Sequence, residues 1–288
     1  MSKIRLLFFF LFASFLYWAI NGQPVSAEEV KPVHIEVDAG VLTYEPSFHY
    51  KIVNDRLLVQ ASTLVQSLGA KEQYDPVRKS VTISKGKQRI VLKAGRHTAL
   101  VNGKRVSVQV APEQDRSELL VPLRFVSETL GVKVEWNARY RAAVLSTQKK
   151  NFGIVDKQML SLAKEGKIKA LSLPLGIARQ QIEQQWGKPF DSYYYEGGQF
   201  FAYQACTCSV FYDSQGNSAI YDLLAKKIGY LKTADVRMVL GKPEWEGENA
   251  THSGYLLYYP AGAYQLAFFA TFQEGTIMSL WLKKQEWN

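Results

Sequence analysis

The stretch Arg56–Ser84 recurs without a gap as Glu118–Ser146, at a constant offset of 62 residues (118 less 56). Leu57, Leu58, Val59, Leu68 and Gly69 return as Leu119, Leu120, Val121, Leu130 and Gly131. Self-similarity at a fixed spacing constrains a fold more than local propensity does, because each copy must bury the same face. It points to paired units forming a scaffold that presents a surface.

Each copy has one grammar. A short apolar strand (LLV) runs into a helix of about three turns that ends at Leu-Gly, and two alternating strands follow. In the second copy Pro122 stands where a helix begins, since its fixed φ suits the first turn. Leu123, Val126 and Leu130 share one helical face, with Arg124 and Glu128 spaced i,i+4 on the other. Gly131 is placed to end that helix. Asn102-Gly103, between Thr98–Val101 and Arg105–Val108, predicts a two-residue hairpin. The unit is α+β, with mostly antiparallel strands.

Residues 1–27 read as a signal peptide. Lys3 and Arg5 supply a positive start, Leu6–Ile20 an apolar run, and Val25-Ser26-Ala27 a small-residue cleavage site. The apolar run is shorter than the roughly 20 residues that span a bilayer. The chain is expected to be secreted, extracellular or wall-associated, with cleavage after Ala27.

The formal net charge of +9 is unevenly spread. Ten basic residues lie between Lys71 and Arg105, against only Glu72 and Asp75. A field of one sign favours anionic partners and makes binding salt-sensitive. Arg78, Lys79, Lys85, Lys87, Arg89, Lys93 and Arg96 are the candidate anion contacts. Outside a cell the anion is a wall polymer or a membrane surface, and nucleic acid is not expected.

A second repeat, at an offset of 54 (241 less 187), carries Ile182–Pro189 onto Val236–Pro243. Each copy is an amphipathic helix closed by Gly-Lys-Pro, because proline cannot continue a helix. Alternating aromatic strands follow: Gly198–Ala205, Cys208–Tyr212 and Ser218–Leu223, then Gly254–Tyr259, Tyr264–Phe272 and Ile277–Leu282. Of 15 Phe, 16 Tyr and 6 Trp, 21 lie in residues 190–288. Rings occupy both strand parities, so the sheet either presents an outward aromatic platform or is buried on both faces. For the platform, the candidate contacts to a protein or glycan are Tyr194, Tyr203, Tyr212, Trp245, Tyr255 and Tyr259.

Two families resemble these patterns. "VNGK" followed by "LLVPLRFVSETLGVKVEWN" resembles the copper amine oxidase N-terminal-like (stalk) domain of exported bacterial proteins, over about residues 34–148. That name does not imply copper here. The enzyme chemistry needs a quinone-forming tyrosine in an Asn-Tyr context and a histidine copper site. This chain has no Asn-Tyr dipeptide, and His34, His49, His97 and His252 are scattered. "MLSLAKEGKI", "IEQQWGKPFDSYYY" and "VRMVLGKP" resemble the YjgB-like family, a secreted domain without assigned function, over about residues 156–284. The expected division is a signal peptide (1–27), a linker (28–33), a doubled stalk-like domain (34–149), a linker (150–155) and a tandem helix-plus-sheet domain (156–288). Each domain is expected to be an internal duplication.

Candidate chemistry is sparse. Cys206 and Cys208 are the only cysteines. On a strand their side chains share a face, so packed thiols or a short disulfide formed on export are expected. With only His252 to join them, they fall short of the four ligands of a structural zinc site. No nucleophile elbow, His-Glu-x-x-His helix motif or phosphate loop occurs, so neither metal nor cofactor is expected. Asp191, Glu196, Asp213 and Asp222 are the acids that a wall hydrolase could recruit. Three readings follow: a non-enzymatic binding protein of the cell surface or wall, an inhibitor or assembly factor clamping one exported protein, and a hydrolase with a carboxylate pair. The first is favoured.

Overall fold

The computed structural model describes residues 33–44, 48–195, 198–249 and 254–285. The signal peptide, Glu196 and His252 lie outside these residues.

The first half opens with strands β1 (His34–Val37), β2 (Gly40–Val41), β3 (Tyr50–Val53) and β4 (Arg56–Gln60). Helix α1 (Ala61–Ser67) leads into β5 (Lys71–Asp75), β6 (Ser80–Lys85), β7 (Gln88–Lys93), β8 (Thr98–Val101) and β9 (Lys104–Ser107). Then come β10 (Glu113–Asp115), β11 (Glu118–Pro122), α2 (Leu123–Thr129), β12 (Val134–Asn137) and β13 (Ala142–Leu145). Strands β5 to β9 form an antiparallel meander, while β10-β11-β4-β3 and β12-β13-β1-β2 form two smaller sheets. Among the described residues, only β1 with β13 pairs in parallel.

Residues one repeat apart meet. Val59 pairs with Val121, flanked symmetrically by Gln60 with Leu120 and Leu58 with Pro122. Leu64, Val65 and Leu68 are buried from the first helix, and Leu123, Val126 and Leu130 from the second. Gly69 and Gly131 follow at φ 64° and 82°, the left-handed geometry that stops a helix without a Cβ clash. The strands that follow part company: β5 and β6 enter the five-stranded sheet, whereas β12 and β13 join β1. Pro122 ends a strand and caps α2 instead of occupying its first turn. At the predicted hairpin, Asn102 and Gly103 have φ of 51° and 82°.

The second half comprises α3 (Met159–Ala163), α4 (Arg179–Trp186), β14 (Asp191–Tyr195), β15 (Gly198–Tyr203), β16 (Cys208–Tyr212) and β17 (Ser218–Leu224). It continues with α5 (Ala225–Ile228), α6 (Thr233–Leu240), β18 (Trp245–Asn249), β19 (Gly254–Ala261), β20 (Tyr264–Ala270) and β21 (Ile277–Lys284). All eight strands form one antiparallel sheet, ordered β14-β15-β16-β17-β21-β20-β19-β18. Helix α3 begins after a turn in which the Gln158 amide donates to the Asp156 carboxylate. The fold is α+β, dominated by sheet.

Val33–Asn288 form a single compact unit. The Tyr140 ring stacks on Phe272 at 5.1 Å, and its hydroxyl donates to Gln273 at 2.7 Å. Lys232 pairs with Glu135 at 2.9 Å. The Glu36 carboxylate is buried against Thr271 and Thr276. At the chain crossing, the Asn151 amide donates to Gly229 and Lys150 pairs with Asp235.

Candidate functional site

The five-stranded sheet turns Val81, Ile83, Ile90, Leu92 and Ala99 into the core. Strand alternation sends the other parity outward. One outward row is Gln73, Thr82, Val91, Leu100 and Arg105, flanked by Lys71, Ser84 and Arg89 on one side and Asp75, Ser80 and Lys93 on the other. Lys71, Arg89, Lys93 and Arg105 are exposed there. The acid of this face, Asp75, is held by Arg78 at 3.0 Å, and hydrogen bonding by Arg78 keeps its carboxyl below the usual range.

The seven sequence candidates are not one cluster. Arg89 and Lys93 lie on the outward face, while Arg78, Lys79 and Arg96 occupy turns at one end of the strands and Lys87 a turn at the other. Lys85 belongs to the core parity and donates to the Leu68 carbonyl at 2.6 Å. The two ends are about 17 Å apart, five strand steps of roughly 3.4 Å. That exceeds the screening length of about 8 Å in physiological salt. Lys71 and Arg105 complete the face, and only strand register reveals them.

The aromatic candidates separate more sharply. Tyr203, Tyr255 and Tyr259 are buried in the main core of the second half, which corrects their assignment as partner contacts. Their parity is the one that faces the helices. There the Tyr203 and Tyr212 hydroxyls share a hydrogen bond at 2.7 Å, and the Tyr259 hydroxyl donates to the Gly241 carbonyl. Tyr212 is partly buried, with Arg179 near its ring. Tyr194 and Trp245 are exposed, at 79% and 50%. They sit on β14 and β18, the two edges of the sheet and on opposite faces by register. Seven inter-strand spacings, roughly 34 Å, separate those edges, so these rings cannot grip one small partner together. The non-helical face carries its own aromatic cluster, built entirely from strand residues around Phe200 and Trp281.

Cys206 and Cys208 form a disulfide, both residues buried beside Tyr203. Among the described residues no group of three or more His, Cys, Asp or Glu could hold a metal ion. No described helix is long and apolar enough to cross a membrane.

The acids do not converge. Asp222 is buried, accepting from Tyr193 at 3.0 Å and Ser279 at 2.5 Å, and burial pushes its carboxyl up. Asp191 lies in the same row as Asp222 but three strands away, through Ala202 and Ser209. That is about 14 Å, beyond the roughly 5–9.5 Å of a glycosidase pair. Asp213 is spent on the turn amides of Gln215 and Asn217.

One further feature had no signal in the sequence. A cavity of about 730 Å³ opens in the first half, between α2, β12, the β3–β4 turn and the segment after β9. Ile52, Val106 and Trp136 line it and are 49%, 39% and 49% exposed.

Residues 40–145 match the family model described as copper amine oxidase N-terminal domain. Residues 156–280 match that of a domain of unknown function, DUF4309. Neither description names a catalytic domain. Among solved structures, a DUF4309 family protein (YjgB) from Bacillus subtilis is 14% identical, with a TM-score of 0.35, covering 46% of this chain and 99% of that one. No curated protein matches.

Proposed function

We propose that this is an exported, non-enzymatic binding protein of the cell surface or wall, and that its stalk-like half contacts an extended anionic polymer. The observation that carries this reading is the outward face of the five-stranded sheet. Lys71, Arg89, Lys93 and Arg105 share it, and its carboxylate Asp75 is already paired with Arg78. Cations spread over more than a screening length reward a polyanion that runs across the sheet more than a compact anion, which meets one or two of them.

Each half is read as an internal duplication: Val59 facing Val121 across one ladder is the relation that two copies about a local two-fold axis would have. The 150–155 stretch is read as a linker in sequence only, since Lys150 and Asn151 are both bonded to the second half.

Co-sedimentation of the mature protein with purified cell wall tests the proposal. Binding should weaken steeply with salt and disappear from wall stripped of its anionic polymers. Equal binding to stripped wall, or indifference to salt, overturns it. Export is tested on the secreted product, whose first residue should be Glu28; retention of residues 1–27 overturns that part.

A further inference from the structure

The cavity in the first half is built by segments that are remote in sequence. Ile52 comes from β3, Val106 from β9, Phe125 from α2, and Val134 and Trp136 from β12. Eleven of its eighteen lining residues are apolar. Its volume of about 730 Å³ falls within the roughly 300–1,000 Å³ typical of small-molecule sites. Large apolar side chains left open to solvent around one concavity mark a contact surface far more often than isolated exposed ones do.

Charge at the lining decides the class of occupant. Three arginines, Arg56, Arg124 and Arg141, face two acids, Asp55 and Glu128. Arg124 is committed, donating to Glu128 at 3.1 Å and to the Val134 carbonyl at 2.8 Å. Arg56 donates to the neutral Gln109 side chain at 2.7 Å and to the Asp55 backbone carbonyl at 3.3 Å. Arg141 occupies the turn between β12 and β13, where its backbone carbonyl accepts from His34 at 3.0 Å. Its guanidinium has no partner among the described residues. The lining thus carries one surplus positive charge, on a planar group with five donors matched to a carboxylate.

We propose that this cavity is a binding site for an organic monoanion with an aliphatic body, an acyl carboxylate, with Arg141 meeting the carboxylate and the Val106–Trp136 wall taking the chain. The site is separate from the cationic sheet face. A chain bound here leaves water for a mainly aliphatic surface, and its single charge meets the one lining guanidinium that has no hydrogen-bond partner among the described residues. An alkyl cation of the same length would bury as much apolar area but set its charge against Arg141.

Calorimetric titration of the mature protein with dodecanoate and with dodecyltrimethylammonium, both below micelle formation, tests this. Dodecanoate should saturate at one per chain and bind at least about tenfold more tightly than the cation, the scale of one charge-assisted hydrogen-bonded pair. Arg141→Gln should abolish that preference. Val106→Glu, at a strand position 39% exposed and with folding checked by thermal unfolding, should weaken dodecanoate at least about tenfold by setting a carboxylate in the apolar wall. Absence of saturable binding, equal affinity for the two amphiphiles, or a preference that survives Arg141→Gln overturns the proposal. Wall binding through the sheet face should be unaffected by either variant.

Discussion

Glu36, on the first strand, accepts a hydrogen bond from the Thr271 hydroxyl at 2.5 Å across 235 residues of sequence. The carboxylate also meets the Thr276 amide at 3.3 Å and lies buried between the two halves. Burial pushes its affinity for a proton up, opposed by the bonds from Thr271 and Thr276 and by Lys232. A raised folded-state value means that the folded protein holds the proton where the unfolded chain has released it. Stability therefore falls as pH rises from the ordinary glutamate value of about 4.3 upward. Asp222, also pushed up by burial, adds a slope of the same sign. Urea unfolding from pH 5 upward should show the Glu36 share of this decline, set against an opposite slope from His34, whose imidazole is held below its ordinary value by burial. Glu36→Gln, which keeps an acceptor for Thr271, should flatten it and leave the protein at least as stable at pH 7. Glu36→Ala should cost roughly 1–3 kcal/mol, because Thr271 is left without its acceptor. A slope unchanged in Glu36→Gln would sink the assignment.

Gly229 sets how the chain enters the second half. Its φ is 98°, and a Cβ there would stand 1.8 Å from the Asn151 carbonyl oxygen. Both the left-handed conformation and the backbone approach exclude other residues. Gly229→Ala should lower stability by about 2–4 kcal/mol, at the upper end for single substitutions, with the Asn151–Gly229 hydrogen bond lost in amide exchange. A cost under about 1 kcal/mol would mean that the 150–155 segment yields easily. Gly216→Ala supplies the control: φ there is 79°, but nothing lies within 4 Å of the added carbon. It should cost only the conformational strain, about 1 kcal/mol.

How far these features can be read from the sequence depends on how local their causes are. The repeat at offset 62 exposes both helices and their glycine stops, and the Asn-Gly dipeptide at 102–103 marks its own turn, because each rests on neighbours within a few residues. The aromatic strands are legible, but not which parity is covered. Tyr203 and Tyr259 look like Tyr194 in sequence, and only packing of the helices on one side distinguishes them. Strands β14 and β18 escape notice because Asp191, Ser192, Glu246, Gly247 and Glu248 have little β preference and hold their place as edges by pairing with β15 and β19. The cavity draws on segments spread from Ile52 to Ala143, so no local pattern marks it. Lys71 and Arg105 join the cationic face through register across the sheet.

The Cys206–Cys208 bridge closes a loop of three residues. A loop that short removes little freedom from the unfolded chain, and the chain-entropy relation gives about 1.5 kcal/mol. Both cysteines are buried among apolar side chains, so serine in their place also loses packing. Replacing both with alanine, which avoids burying hydroxyls, should cost roughly 1.5–3 kcal/mol and leave the fold intact. Reductant should shift the parent's urea midpoint but not the double variant's. A parent insensitive to reductant, with its thiols blocked by alkylation, would show that the bridge does not contribute.

Charge reversal separates the cationic face from general basicity. Lys71 and Arg105 project from the outward rows of the five-stranded sheet, whereas Lys226 and Lys227 belong to α5 in the other half. Lys71→Glu with Arg105→Glu changes the net charge by the same four units as Lys226→Glu with Lys227→Glu. If the sheet face contacts a polyanion, only the first pair should weaken wall binding, by at least about tenfold at physiological salt, and should reduce its dependence on salt. The exposed positions predict stability changes within about 0.5 kcal/mol for Lys71 and Arg105, checked by thermal unfolding. Equal loss from both pairs would assign binding to net charge alone, and the sheet face would have no special part in it.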